Sequence, residues 1–154
     1  MLLTELLSAD RVRVPLAAGS KDDVLEELVA VLAGAGVVAD AAATLRAVRQ
    51  REEVLSTGIG GGVAIPHGKS DSAGGLAMAA GVAARPVDFD SLDGEPVRLF
   101  FLLVGPESAA GLHVKALSRI SRLVRREETR ARLAAAATPA EFMAVVAEAE
   151  AEGA

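Results

Sequence analysis

Cysteine is absent from the 154 residues, which excludes a disulfide framework, a thiolate nucleophile and a cysteine-held metal. Covalent chemistry therefore falls to another side chain. Tryptophan and tyrosine are missing as well; beside the abundant alanine and arginine, we read this as the mark of a GC-rich coding sequence and draw no function from it. No apolar run approaches the ~20 residues of a membrane helix. Met1 to Leu7 lacks the basic start and small-residue cleavage site of a signal peptide. A soluble, cytoplasmic protein with no direct membrane insertion is the expectation. Positive charge is in short supply, 16 Lys and Arg against 21 Asp and Glu for a net charge of -5, which argues against a nucleic-acid partner. The exception is Arg119 to Arg126. Its core, Arg122 to Arg126, falls on a predicted helix and reads as a solvated face. Internal repeats and low-complexity linkers are absent too.

What is present is a chain 51% apolar, long enough for one hydrophobic core and too short for two, so a single domain over residues 1–154 is expected. Thr4 to Leu7 reads as a helical turn and Arg11 to Leu16 as a short strand. A helix follows Ser20, where Ser20 and Asp23 form a capping-box-like start. Val24, Leu25, Leu28, Val31 and Leu32 recur at helical spacing until Gly34 and Gly36. Asp40 caps a second helix that runs to about Glu53. Gly58, Gly60, Gly61 and Gly62 then break all periodicity and mark a loop.

Val63, Ala64 and Ile65, closed by Pro66, read as a buried strand that delivers His67. Leu76–Ala83 and Val97–Val104 are two further strands, joined by a turn-rich stretch from Arg85 to Pro96. The second, VRLFFLLV, is nearly continuous apolar, as in a strand covered on both faces. Ala116, Leu117, Ile120, Leu123 and Val124 define an amphipathic helix with His113 in its first turn. A last helix begins at Thr138, Pro139 and Glu141, and the tail Ala149 to Ala154 is expected to fray. Helices alternate with strands, so the class is α/β.

The glycine loop beside Gly68, Lys69 and Ser70 invites a phosphate-binding P-loop, but the glycine that motif requires falls on Val63. A dinucleotide fingerprint beginning at Gly58 fails at the same residue. Two histidines, His67 and His113, remain as the side chains that titrate near neutrality and attack phosphorus well. Any lone histidine can simply pack or cap. His67 is set apart by the strand and proline that fix its approach and by flanking glycines that leave room for a tetrahedral group. His113 heads the apolar stripe of its helix, four and seven residues before Leu117 and Ile120, and should point inward. A helix N-terminus favours anions and disfavours imidazolium, which suits a neutral histidine donating to phosphate. Metal binding by the pair lacks a carboxylate partner at any known spacing. A serine hydrolase lacks its Gly-x-Ser-x-Gly.

The stretch Glu52 to Gly68, EEVLSTGIGGGVAIPHG, resembles the signature of the fructose/mannitol-type enzyme IIA components of the bacterial phosphoenolpyruvate-dependent sugar phosphotransferase system. An acid stands at Glu52, then Ile59 and Gly60, then Val63, Ala64, Ile65, Pro66, His67 and the small Gly68. Pro86 to Glu107 and Leu112 to Val124 resemble that family's next two blocks. The resemblance implies a three-layer α/β/α sandwich with a mixed central sheet. It implies that His67 is phosphorylated by the phosphocarrier HPr and passes the group to a IIB component on a separate chain, which serves a membrane IIC permease. It places a supporting histidine at His113 and a phosphoryl-holding arginine at Arg51. Thr57 and Gly68 are further candidate phosphate contacts, and neither cofactor nor metal is implied. The recipient is left open between fructose-type sugar uptake and a nitrogen-type regulatory paralogue with the same motif. A third possibility is a binding module of the same fold that accepts no phosphate.

Overall fold

The chain passes from helix to strand and back much as its periodicity predicts. The computed structural model describes residues 1–153, and among them lie six α-helices and six strands. Helix α1 (Leu3–Leu6) is a single turn that leads through a 3-10 turn at Ala9–Arg11 into β1 (Val12–Leu16). Helix α2 (Lys21–Gly34) starts where the Ser20 hydroxyl accepts the Asp23 N–H at 3.3 Å. Helix α3 (Ala41–Val54) starts where the Asp40 carboxylate accepts the Ala43 N–H at 3.0 Å. Three short strands follow, β2 (Gly58–Gly60), β3 (Val63–Ala64) and β4 (His67–Lys69), and then the long β5 (Ala77–Val87) and β6 (Val97–Gly105). Helices α4 (Ala110–Leu123), α5 (Glu127–Ala134) and α6 (Pro139–Ala151) complete the described chain.

The strands form one mixed sheet in the order β1-β5-β6-β3-β2, with β4 continuing beyond β3 along the same side of β6. β1 is parallel to β5, β5 antiparallel to β6, and β3 and β4 are both parallel to β6. Side chains alternate across a strand, and β6 shows the consequence. Leu99, Phe101 and Leu103 enter one core with Ile120 of α4, Leu133 of α5 and Phe142 of α6. Phe100, Leu102 and Val104 enter the opposite core with Leu28 and Leu32 of α2 and Val48 of α3. The fold is therefore a three-layer α/β/α sandwich, and the unbroken apolar character of β6 follows from its having a core on each side. No helix among the described residues is long and apolar enough to cross a membrane.

Several expectations are corrected. Helix α4 stops at Leu123, so Arg122 to Arg126 does not lie on one helix but spans a break, with Arg126 at the N-cap of the unanticipated α5. The Arg130 guanidinium seals that break by donating to the carbonyls of Val124 and Arg125 at 2.8 and 3.0 Å. Helix α6 carries Ala149 in buried contact with the core, so the fraying expected from Ala149 does not begin there; Ala154 lies outside the described residues. Strand β5 runs on to Val87 rather than ending at Ala83, Gly58–Gly60 of the expected glycine loop form β2, and His67–Lys69, for which the sequence pattern predicts no element, form β4.

Candidate functional site

His67 opens β4, which pairs with β6, and the residues leading into it are hydrogen-bonded as well. Its register partner on β6 is Leu103, whose N–H donates to the carbonyl of Pro66 at 3.0 Å, and the N–H of Ile65 donates to the carbonyl of Thr57 at 3.0 Å. The imidazole is half-buried, and its Nδ1 lies 2.8 Å from the carbonyl oxygen of Ile65. A carbonyl only accepts, so Nδ1 carries a proton, and in the neutral ring it is Nε2, on the other edge, that keeps the lone pair. A neutral imidazole in this tautomer is a nucleophile with a fixed direction.

His113 stands in the first turn of α4 with its ring centroid 5.2 Å from that of His67 and the planes inclined by 69°, edge to face. Its pKa is lowered from 6.5, first by burial, then by His67 and Lys69. At neutral pH it is thus uncharged, with one ring N–H left to donate. Both imidazoles line a cavity of about 610 Å³. Arg51, Gln50, Lys69 and Val114 also face it.

Arg51 reaches the cavity from the last turn of α3, where its Nη1 donates to the carbonyl of Leu55 at 2.9 Å. A cation is well placed at a helix C-terminus, and the rest of the planar fork remains to grip an oxyanion. Gly68 explains why α3 can lie so close. A Cβ there would stand 3.0 Å from the Val48 nitrogen and 3.1 Å from the Ala47 carbonyl carbon, both α3 backbone. The missing side chain lets α3 settle on β4, which brings Arg51 and His67 to one cavity. Lys69 adds a second cation at the rim, exposed and paired with Glu107 at 2.7 Å.

Of the sequence-predicted residues, His67, His113, Arg51 and Gly68 share the cavity, and Thr57 does not. Thr57 is buried, and both its N–H, at 2.7 Å, and its hydroxyl donate to the carboxylate of Glu52. Its hydroxyl is spent inside the protein and does not reach a phosphate in the cavity. Sequence reasoning treated Glu52 only as a signature position. The signal for its burial was spacing: Thr44, Val48 and Glu52 follow at intervals of four on the inward stripe of α3, and all three are buried. Among the described residues no group of three or more His, Asp and Glu side chains is arranged to hold a metal. The cavity instead joins an unprotonated nitrogen to two cations and a neutral donor, a combination suited to bonding an electrophile that carries negative charge.

Comparison with known proteins gives the family. A family model described as "Phosphoenolpyruvate-dependent sugar phosphotransferase system, EIIA 2" matches residues 5–149. The chain is 42% identical over 133 residues to the PTS system fructose-specific EIIABC component of Bacillus subtilis, covering 86% of this chain but only 21% of that protein. It is 40% identical over 138 residues to a nitrogen regulatory protein of Bradyrhizobium diazoefficiens, covering 88% of each. Among solved structures, nitrogen regulatory protein IIA-Ntr from Neisseria meningitidis superposes with a TM-score of 0.86 at 31% identity, covering 94% of this chain and 98% of that one.

Proposed function

The chain belongs to the type 2 EIIA family of the phosphoenolpyruvate-dependent sugar phosphotransferase system, and from that membership we propose that it is a cytoplasmic phosphocarrier using Nε2 of His67. One observation carries the assignment: the 2.8 Å contact of Nδ1 with the Ile65 carbonyl, which makes Nε2 the nucleophilic nitrogen of the neutral ring in a cavity shared with His113 and Arg51. HPr docks over the cavity and presents its phosphoryl group. The Nε2 lone pair forms a new P–N bond while the bond from phosphorus to the donor's nitrogen breaks in line. No proton need leave His67, because the lone pair is already free. Arg51 pairs with the phosphoryl oxygens, and neutral His113 donates a hydrogen bond to one of them. The reverse attack, by a nucleophile of a IIB component, returns Nε2 to its starting state. Neither cofactor nor nucleotide enters. Residues 5–149 act as one IIA domain, and a IIC permease is reached only through IIB.

We assign the downstream route to fructose-type sugar uptake, a reading supported by the fructose-specific relative. A nitrogen-type regulatory role is the second reading, supported by the nitrogen regulatory proteins that match over nearly their whole length. Incubation with enzyme I, HPr and labelled phosphoenolpyruvate tests the common core. An acid-labile, base-stable label is expected on the wild type and not on His67→Ala. An unlabelled wild type, or a labelled His67→Ala, overturns the proposal. Addition of a fructose-type IIB then separates the two routes: discharge of the label supports transport, and a label that persists supports regulation.

A further inference from the structure

Glu52 is a carboxylate that the phosphocarrier reading leaves without a task. It is buried at 5% exposure, and its counter-ion is Lys21 at the start of α2, 3.4 Å away. Lys21 is itself held at 3.4 Å from Asp90 and 4.8 Å over the ring of Phe89. Burying an ion pair costs desolvation that a purely apolar contact at the same place would avoid. Such a pair calls for a local reason, and the hydrogen bonds around it provide one.

Two paths leave the Glu52 carboxylate, and both end at the site. Its oxygens fix the N–H and hydroxyl of Thr57. The Thr57 carbonyl accepts the N–H of Ile65 at 3.0 Å, and the Ile65 carbonyl accepts Nδ1 of His67 at 2.8 Å. Two residues before Thr57, the carbonyl of Leu55 accepts Nη1 of Arg51 at 2.9 Å. The intervening Ser56 is tied down by its hydroxyl, which donates to the Phe89 carbonyl at 2.9 Å. One buried anion thus secures the short segment from Leu55 to Thr57. That segment supplies the acceptor for Arg51 directly and the acceptor for His67 through one further peptide.

We propose that Glu52, charge-balanced by Lys21 and acting through Thr57, is a positioning residue that sets both the tautomer of His67 and the placement of the Arg51 guanidinium. The proposal deepens the phosphocarrier reading and rests on it for its kinetic consequence. Its consequence for the imidazole does not depend on phosphate. Thr57 accordingly belongs to the support of the site rather than to the phosphate contacts.

The test combines kinetics with the 15N spectrum of the imidazoles in the unphosphorylated full chain. Glu52→Gln and Thr57→Val should each lower kcat for phosphorylation by phospho-HPr by about 10- to 100-fold, the scale of a small misplacement of reacting groups. KM for phospho-HPr should stay within about twofold, since no docking surface changes. Thr57→Ser should restore the wild-type rate. In an Arg51→Ala background Glu52→Gln should cost less than it does alone, because the path through Leu55 is already lost while the path to His67 remains. The His67 resonances should show the Nε2-protonated tautomer appearing in both variants. Wild-type kcat with an unchanged tautomer in Glu52→Gln and Thr57→Val, or fully additive effects with Arg51→Ala, overturns the proposal. Lys21→Met gives the same decision if Glu52→Gln does not fold. Should His67→Ala accept label, the phosphocarrier reading fails, whereas the tautomer spectrum still decides the role of Glu52.

Discussion

The close approach of α3 to β4 makes Gly68→Ala a sharp test of how the cavity is built. The added methyl would lie 3.0 Å from the Val48 nitrogen, 3.1 Å from the Ala47 carbonyl carbon and 3.2 Å from the Val48 Cα. These are backbone atoms of a helix, so no side chain can rotate away, and α3 must retreat from the sheet by a few tenths of an ångström. Overpacking of this kind costs about 1–3 kcal/mol. For a chain of this length about 2–4 °C of Tm accompanies each kcal/mol, so thermal unfolding by circular dichroism should move down by about 2–12 °C. Arg51 rides on the same helix one turn further on, and phosphorylation by phospho-HPr should slow by up to about 100-fold. Gly34→Ala, at the last residue of α2 with open space at its Cα, is the control and should leave Tm and transfer at or slightly above the wild-type values. A Gly68→Ala protein with wild-type Tm and wild-type transfer would refute the view that this contact sets the distance between Arg51 and His67.

The lowered pKa of His113 predicts a pH-dependent stability. The unfolded chain binds the proton more readily than the folded one, so stability should rise with pH up to the ordinary imidazole value of 6.5 and level off above it. Urea titrations from pH 5 to 8 of the wild type and His113→Leu check this, and an equal slope in both would refute it. Thr138→Ala removes the hydroxyl that accepts the Glu141 N–H at 3.1 Å. It should cost about 1 kcal/mol in urea unfolding without changing transfer. Phe101→Ala empties a buried ring site 6.0 Å from the ring of Phe142 and should cost about 3–5 kcal/mol. A loss below about 1 kcal/mol there would mean that the core closes over the gap.

The elements that were legible in the sequence are those whose side chains announce their surroundings. Strand β6 reads as doubly covered because no polar residue interrupts Leu99 to Val104, and α2, α3 and α6 begin at the hydroxyl or carboxylate caps that their first turns require. His113 could be placed beside the core because Leu117 and Ile120 share its helix face. What escaped were features decided by tertiary contact. Strand β4 carries a glycine and a lysine with no β-forming pattern, and only its pairing with Leu103, Val104 and Gly105 makes it a strand. The break after Val124 has no proline or glycine, and is sealed by Arg130 from the next helix. Thr57 looked available for a phosphate because a hydroxyl beside a glycine loop is usually solvated. Spacing on α3 turns the carboxylate of Glu52 inward, but only the fold brings it back onto Thr57, five residues on.

The break of the strand at Pro66 has a further consequence. Because β3 and β4 both lie along β6, the proposed acceptor is mounted on the central sheet and not on a mobile arm. Such a residue does not travel to meet its partners; donor and recipient must each come to the same fixed point and leave it again. Two proteins using one immobile socket in turn cannot be bound at once, so the phosphoryl group moves by alternation of visitors. Loading and unloading are then separable events, and the charged protein in between has a lifetime of its own.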